Sequence, residues 1–154
     1  MLRFLLFLTL QLSALPSNPT IIHGSAQFHW EPALLRIDAS DRAIIDWDSF
    51  SIEEDELVQV HFANPEDSMM NQTAKPSHLL GRIESNGQVV LVGIAIKGPR
   101  ATFRTSSFVS TSYPLNMDLY LTEKKLSWVE EGALYHGFIR PLPGEVVFLS
   151  PPTH

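Results

Sequence analysis

Hydrophobic and polar positions alternate in short stretches along this chain, and turn residues bound each stretch. Such runs, rich in Val, Ile, Phe and Thr, are typical of β-strands. No segment after residue 17 keeps the 3.6-residue period of an amphipathic helix. The pattern therefore predicts an all-β protein. Strands are expected near residues 20–30, 33–38, 42–47, 57–62, 79–84, 88–97, 101–105, 107–111, 117–121, 125–129, 133–140 and 145–149.

The stretch RAIIDWDSFSI, residues 42–52, departs from simple alternation. In one continuous strand, Trp47 would point away from Phe50 and Ile52, because successive side chains point to opposite faces. A β-solenoid resolves the conflict, since its chain turns a corner every few residues and inward positions are reset there. Asp48 and Ser49 suit a corner because their side chains can bond nearby backbone N–H groups. We expect Ile45, Trp47, Phe50, Val89 and Leu91 to be buried.

Two dipeptides predict tight turns. Asn86-Gly87 is expected to supply positive φ at little steric cost, and Pro143-Gly144 fits a type II turn. From the pattern alone, a sandwich, a barrel and a solenoid all remain possible.

The N-terminus has the layout of a secretory signal peptide. Residues 1–17, MLRFLLFLTLQLSALPS, carry one early cation and then an apolar run too short for a permanent membrane anchor. Ala14 and Ser17 are candidate cleavage sites. We expect a signal peptide over residues 1–17, removed or apart from the folded body, and one domain over residues 18–154. An exported domain without cysteine must be stabilised by packing and backbone pairing alone.

The charge excludes one class of partner. The formal net charge is −6 at pH 7, whereas a nucleic acid requires a concentrated positive field. The six histidines lack the spacing of a metal site, and residues 53–56 are more typical of a solvated acidic corner than of a calcium loop. Asp38, Asp41, Asp46 and Asp48 lie beside expected turns, where aspartate is common without catalysis. No cofactor, metal or catalytic residue is predicted.

Several blocks of the chain resemble the filamentous-haemagglutinin-type secretion domain of two-partner secretion exoproteins. The blocks are Gly24-Ser25-Ala26, ASDRAII at 39–45, WDSFSI at 47–52, Asn71, LGRIESNGQV at 80–89, and more loosely Ser106 to Thr111 and Gly137 to Val147. The resemblance implies a right-handed parallel β-helix with extra antiparallel hairpins. It also implies a non-catalytic module recognised in the periplasm by an outer-membrane transporter, and a final location at the cell surface or outside the cell.

Five residues are expected to take part in partner recognition because they lie in or beside those blocks: Asn71, Arg82, Asn86, Gly87 and Gly93. A structural role is the alternative for three of them, since Asn86-Gly87 suits a turn and Arg82 can neutralise Glu84. The sequence departs from the family pattern at two places. VVLVGIAIKGP stands where the family usually has an Asn-Pro-Asn-Gly element, and Asn71-Gln72-Thr73 stands where it commonly has Asn-Arg-Val.

Three functions stay open. The first is a secretion or adhesion module whose candidate partners are the transporter and a host surface or carbohydrate. The second is a carbohydrate-active β-helix enzyme, because one fold serves many functions. The third is a truncated structural surface protein whose export signal has decayed.

Overall fold

The computed structural model describes residues 14–129 and 136–150. One helix of seven residues, α1, spans Met117–Glu123 in this part of the chain. The strands are β1 (Ser17–His23), β2 (Ala26–Glu31), β3 (Leu34–Ala39), β4 (Ala43–Ser49), β5 (Leu57–His61), β6 (Ser68–Thr73), β7 (Ser77–Leu79), β8 (Arg82–Ser85), β9 (Gln88–Val92), β10 (Ala95–Lys97), β11 (Thr102–Arg104), β12 (Ser107–Thr111), β13 (Leu126–Val129), β14 (His136–Ile139) and β15 (Val146–Leu149).

The strands wind into a parallel β-helix of about three turns. A five-stranded sheet, in the order β11-β8-β5-β3-β2, forms one side, and a six-stranded sheet, in the order β1-β4-β6-β9-β12-β15, forms the second. The third side is the parallel pair β7–β10, extended by a bridge between Ile52 and Leu79. Because the chain visits the three sides in turn, residues one coil apart stack on each other. The predicted all-β, parallel β-helix class is confirmed.

Stacked apolar rows fill the interior. On the five-stranded side, Leu35, Val58, Ile83 and Phe103 are register partners in successive coils. These rows join a single buried cluster that also receives side chains from the other two sides. Each coil thus contacts mainly its neighbours, as in other solenoids.

The corner after β4 explains the pattern at residues 42–52. Trp47 and Phe50 both point into the interior, with exposures of 2% and 1%, and their ring centroids lie 5.7 Å apart. The alternation of inward and outward side chains starts afresh where β4 ends at Ser49. The expected burial of Ile45, Trp47, Phe50, Val89 and Leu91 is confirmed.

Antiparallel additions surround the coils. β1 pairs antiparallel with β4, β2 with β3, and β13 with β14. α1 and the β13–β14 hairpin cover the outer face of the six-stranded sheet, where Ile44, Met70, Val90, Val109 and Tyr120 form a second buried cluster. These hairpins agree with those that the resemblance implies.

Several predicted elements were wrong. Residues 117–121 form the helix α1 instead of a strand, because the Asn116 side chain accepts a hydrogen bond from Leu119 N at 3.1 Å and caps a first turn. β6 was not predicted. The ranges 20–30 and 88–97 each contain two strands, separated at Gly24-Ser25 and at Gly93-Ile94, and 79–84 crosses a corner. Residues 133–135 of the expected strand 133–140 lie outside the described residues.

The two predicted turns had different outcomes. Gly144 has a φ of 77° and Glu145 N donates to Leu142 O at 2.9 Å, which confirms the turn at Pro143-Gly144. The expected positive φ at Asn86-Gly87 was wrong, since neither residue adopts it. Gly87 is required there by close packing, as described below.

The folded body begins before the predicted boundary at residue 17. Leu15 packs into the interior with an exposure of 6%, and the Trp30 indole Nε1 donates to Pro16 O at 3.1 Å. Residues 1–13 lie outside the described residues, so removal of a signal peptide stays a prediction. In the described part of the chain, no helix has the length and apolar character that a membrane crossing requires.

Candidate partner-recognition surface

Asn71 lies inside the β-helix. It occupies a row between Ile45 and Leu91 and exposes 1% of its surface. The Trp47 indole Nε1 donates to Asn71 Oδ1 at 2.8 Å, and Asn71 Nδ2 donates to Val90 O at 3.1 Å. A buried amide costs stability unless it is hydrogen-bonded, and both ends of this amide have partners. Asn71 therefore joins three successive coils.

Asn86 and Gly87 form the corner between β8 and β9. The Asn86 side chain accepts from Phe62 N and donates to Phe62 O, both at 2.8 Å, as a neighbouring strand would. Gly87 is buried beneath it. A Cβ at Gly87 would lie 2.5 Å from both Asp67 O and the Phe62 ring, so no larger residue fits without a shift.

Arg82 and Gly93 lie at separate places. Arg82 is the first residue of β8 and lies on the outer face of the five-stranded sheet. Its exposed guanidinium is 3.7 Å from the half-buried Glu84 carboxylate. This contact agrees with the neutralising role considered above. Gly93 directly follows β9 with a φ of 147°, and a Cβ there would lie 2.8 Å from Thr73 O.

The five predicted recognition residues do not share one surface. Asn71 and Gly87 are buried, Arg82 is on a sheet face, and Gly93 is at the opposite end of β9 from Gly87. The contacts that each of these residues makes within the chain give it a structural role. A role in partner recognition stays a prediction for all five.

A charged cluster fixes α1 to the first coil. Asp41 accepts from Ser68 N at 3.0 Å and forms ion pairs with Lys124 at 3.0 Å and Arg42 at 3.1 Å. Lys124 ends the helix, and Arg42 Nη1 donates to Leu121 O at 2.7 Å. Burial alone would raise the pKa of Asp41, but the hydrogen bonds and the two cations outweigh it and hold that pKa below its ordinary value.

A buried hydroxyl pair lies beside this cluster. The Tyr120 and Ser68 hydroxyls are 2.9 Å apart, and burial raises the pKa of Tyr120 well above its ordinary value. Tyr120 is therefore a neutral partner that anchors the buried face of α1 to the six-stranded sheet.

The other candidate chemistry stays dispersed. Across residues 14–129 and 136–150, no group of three or more His, Cys, Asp or Glu side chains is placed to hold a metal ion. Glu56 is buried at the acidic corner, where its carboxylate accepts from Glu53 N at 2.9 Å. Asp38, Asp46 and Asp48 point to solvent.

Sequence reasoning missed an exposed apolar edge at the N-terminal end. We call β1 and β2 the N-terminal edge, because each is the last strand of its sheet. Ile21, Ile22 and Trp30 are large apolar residues on it, with exposures of 40%, 59% and 46%. The adjacent isoleucines were the available signal, since two neighbours on one strand cannot both face the interior.

The fold is similar to that of a known secretion domain. The crystal structure of the HMW1 secretion domain from Haemophilus influenzae superimposes with a TM-score of 0.69, at 22% sequence identity, over 88% of this chain. This chain and that domain therefore have the same fold. This chain covers 35% of the length of that one. No protein-family model and no curated protein sequence matches the chain.

Proposed function

We propose that this chain is a non-enzymatic secretion module of the two-partner type, exported across the inner membrane and recognised in the periplasm by an outer-membrane transporter. The similarity of fold to the HMW1 secretion domain is the observation that carries the proposal, because it extends over 88% of this chain. The blocks that resemble the filamentous-haemagglutinin family point in the same direction.

The N-terminal edge is the surface that we assign to the transporter. An edge strand presents unpaired backbone N–H and C=O groups, and a strand from a partner can add to it by β-augmentation. Ile21, Ile22 and Trp30 would supply apolar contacts to such a strand. Backbone pairing tolerates sequence change better than side-chain recognition does, which suits a chain that departs from the family motifs.

The β-helix suits export through a pore. Its coils contact mainly their neighbours, so a chain that emerges gradually can fold coil by coil. Leu35, Val58 and Ile83 form one row in which each residue stacks on its register partner in the neighbouring coil. Folding at the cell surface is then the step that follows transport.

Secretion of the full chain with a two-partner-secretion transporter tests the proposal. The fraction of the chain in the medium of a Gram-negative host should rise several-fold when the transporter is co-expressed. Ile22→Lys should abolish most of that rise, because a charge on an edge strand opposes strand addition. Ile96→Lys is the matched control, since Ile96 is 47% exposed on β10, far along the chain from the N-terminal edge.

Two results would contradict the proposal. Secretion that does not depend on the transporter would exclude the two-partner route. A loss with Ile96→Lys but not with Ile22→Lys would keep the route and reject the N-terminal edge as the recognised surface.

A further inference from the structure

The outer face of the five-stranded sheet carries a row of polar side chains. Strand register places His29, Arg36, Gln59, Glu84 and Arg104 side by side on β2, β3, β5, β8 and β11. The outer face of the six-stranded sheet differs, because α1 and the β13–β14 hairpin pack against it. Within the described residues His29, Arg36 and Arg104 are exposed, so the polar row lies on an open side of the β-helix.

A groove of about 560 Å³ follows this row. Its polar lining includes Arg36, Asp38, Gln59, His61, Glu84 and Arg104. Asp38 and His61 are register partners and form a second row beside the first. The groove thus crosses the strands, along the axis of the β-helix.

The two arginines of the groove are unpaired cations. Glu84 is 3.7 Å from Arg82, which lies outside the groove. Within the described residues, Arg36 and Arg104 form no ion pair, although the chain carries an excess of acidic residues. Three strand spacings of about 4.8 Å separate them, which is about 14 Å. The groove therefore presents a guanidinium at each end, and its lining also holds the carboxylates of Asp38 and Glu84.

We propose that this groove binds an acidic glycan, a chain of linked pyranose rings that carries carboxylate groups. The spacing of adjacent strands is close to the length that one pyranose residue adds to an extended 1,4-linked chain. Successive sugars would then meet the side chains of successive strands. The guanidinium groups of Arg36 and Arg104 match carboxylates in a bidentate geometry, and Gln59 and Asp38 can bond ring hydroxyls.

The backbone of this face favours a glycan over an acidic peptide. An extended peptide gains affinity by pairing its main chain with a free strand edge. Here β3, β5 and β8 each have a strand on both sides, so their backbone groups are already paired within the sheet. Only side chains are presented, which suits a ligand rich in hydroxyl and carboxylate groups.

Titration of the full chain with oligogalacturonate tests the inference, with a neutral cello-oligosaccharide and polyglutamate as comparison ligands. We expect saturable binding of oligogalacturonate that is stronger than binding of either comparison ligand. Arg36→Gln and Arg104→Gln should each weaken it about tenfold, since each removes charge-assisted hydrogen bonds. Arg100→Gln is the matched control, because Arg100 lies outside the groove, 3.7 Å from Glu54.

The other outcomes overturn the inference. Absence of oligogalacturonate binding excludes the site. Equal binding of polyglutamate would indicate unspecific charge attraction, and equal binding of the neutral sugar would remove the role of the arginines. An equal loss in Arg100→Gln would place binding outside the groove. The secretion test involves none of these side chains, so either proposal can fail alone.

Discussion

At the scale of single residues, Gly87 shows how one position controls a corner of the β-helix. We predict that Gly87→Val lowers the free energy of unfolding by about 1–3 kcal/mol, as overpacking does. The reason is steric, because the first added carbon would lie 2.5 Å from Asp67 O and the Phe62 ring. Thermal and denaturant melts measure the change.

Arg82→Ala is the comparison for that prediction. Its ion pair with Glu84 is long and partly exposed to solvent, so it contributes little stability, and the variant should unfold within about 0.5 kcal/mol of the native chain. If Arg82→Ala unfolds while Gly87→Val melts like the native chain, the steric account is wrong. Any effect of Arg82 on transporter binding is a separate measurement.

Asn71 and Gly87 show which features of single residues could not be predicted from the sequence. Both were singled out because of the family blocks, and the structure places both in packed positions. The burial of Asn71 could not be derived from the sequence. A polar asparagine in a short strand is expected to face solvent until its partners Trp47 and Val90 are known. The inward set of Ile45, Trp47 and Phe50 could be derived, since a tryptophan and a phenylalanine three residues apart require a corner.

At the scale of elements, α1 is held by the Asp41 cluster. We predict that Asp41→Asn lowers the free energy of unfolding by about 1–2 kcal/mol at neutral pH, because it removes charge-assisted hydrogen bonds. The pKa of Asp41 is lowered in the folded state, so its stabilisation is complete above its ordinary value of 3.8 and is lost as pH falls through the lower, folded-state pKa. Urea melts at several pH values measure this.

The difference between the native chain and Asp41→Asn should therefore shrink in acid. Asp46→Asn is the control, since Asp46 is exposed on β4 and should change stability little at any pH. A difference that stays constant down to acid pH would show that the carboxylate charge is not what holds α1.

Elements were predictable where side-chain pattern and propensity agree. Seven of the expected strands, such as 107–111, lie within two residues of those in the structure. β6 was missed because SMMNQT does not alternate and has a single β-branched residue, Thr73. It is a strand because neighbours on both sides pair with it. α1 was read as a strand because its seven residues are too few for a helical period to appear, and packing against the sheet sustains it.

At the scale of the whole molecule, the β-solenoid was expected from the corner after β4 together with the family resemblance, whereas the two surfaces that we propose for binding were not expected. The adjacent isoleucines give a local signal for the N-terminal edge, whereas the groove exists only because strands distant in sequence lie side by side. Arg36 and Arg104 are 68 residues apart in the sequence numbering and share a row through the register of four strands. No local pattern encodes such a juxtaposition.

The contacts of Leu15 and Pro16 bear on where an exported form of the chain would begin. Leu15 is buried in the interior, and Pro16 O accepts from Trp30, so cleavage after Ser17 would remove contacts that the fold uses. We therefore predict that the exported protein begins at Leu15, after cleavage at Ala14, and mass spectrometry of the exported form measures this.

Leu15→Ala should lower the free energy of unfolding by about 2–3 kcal/mol, whereas Leu142→Ala, at a site 67% exposed, should have little effect. A mature chain that begins at Asn18 and melts at the same temperature as one that begins at Leu15 would show that Leu15 contributes nothing to the folded body.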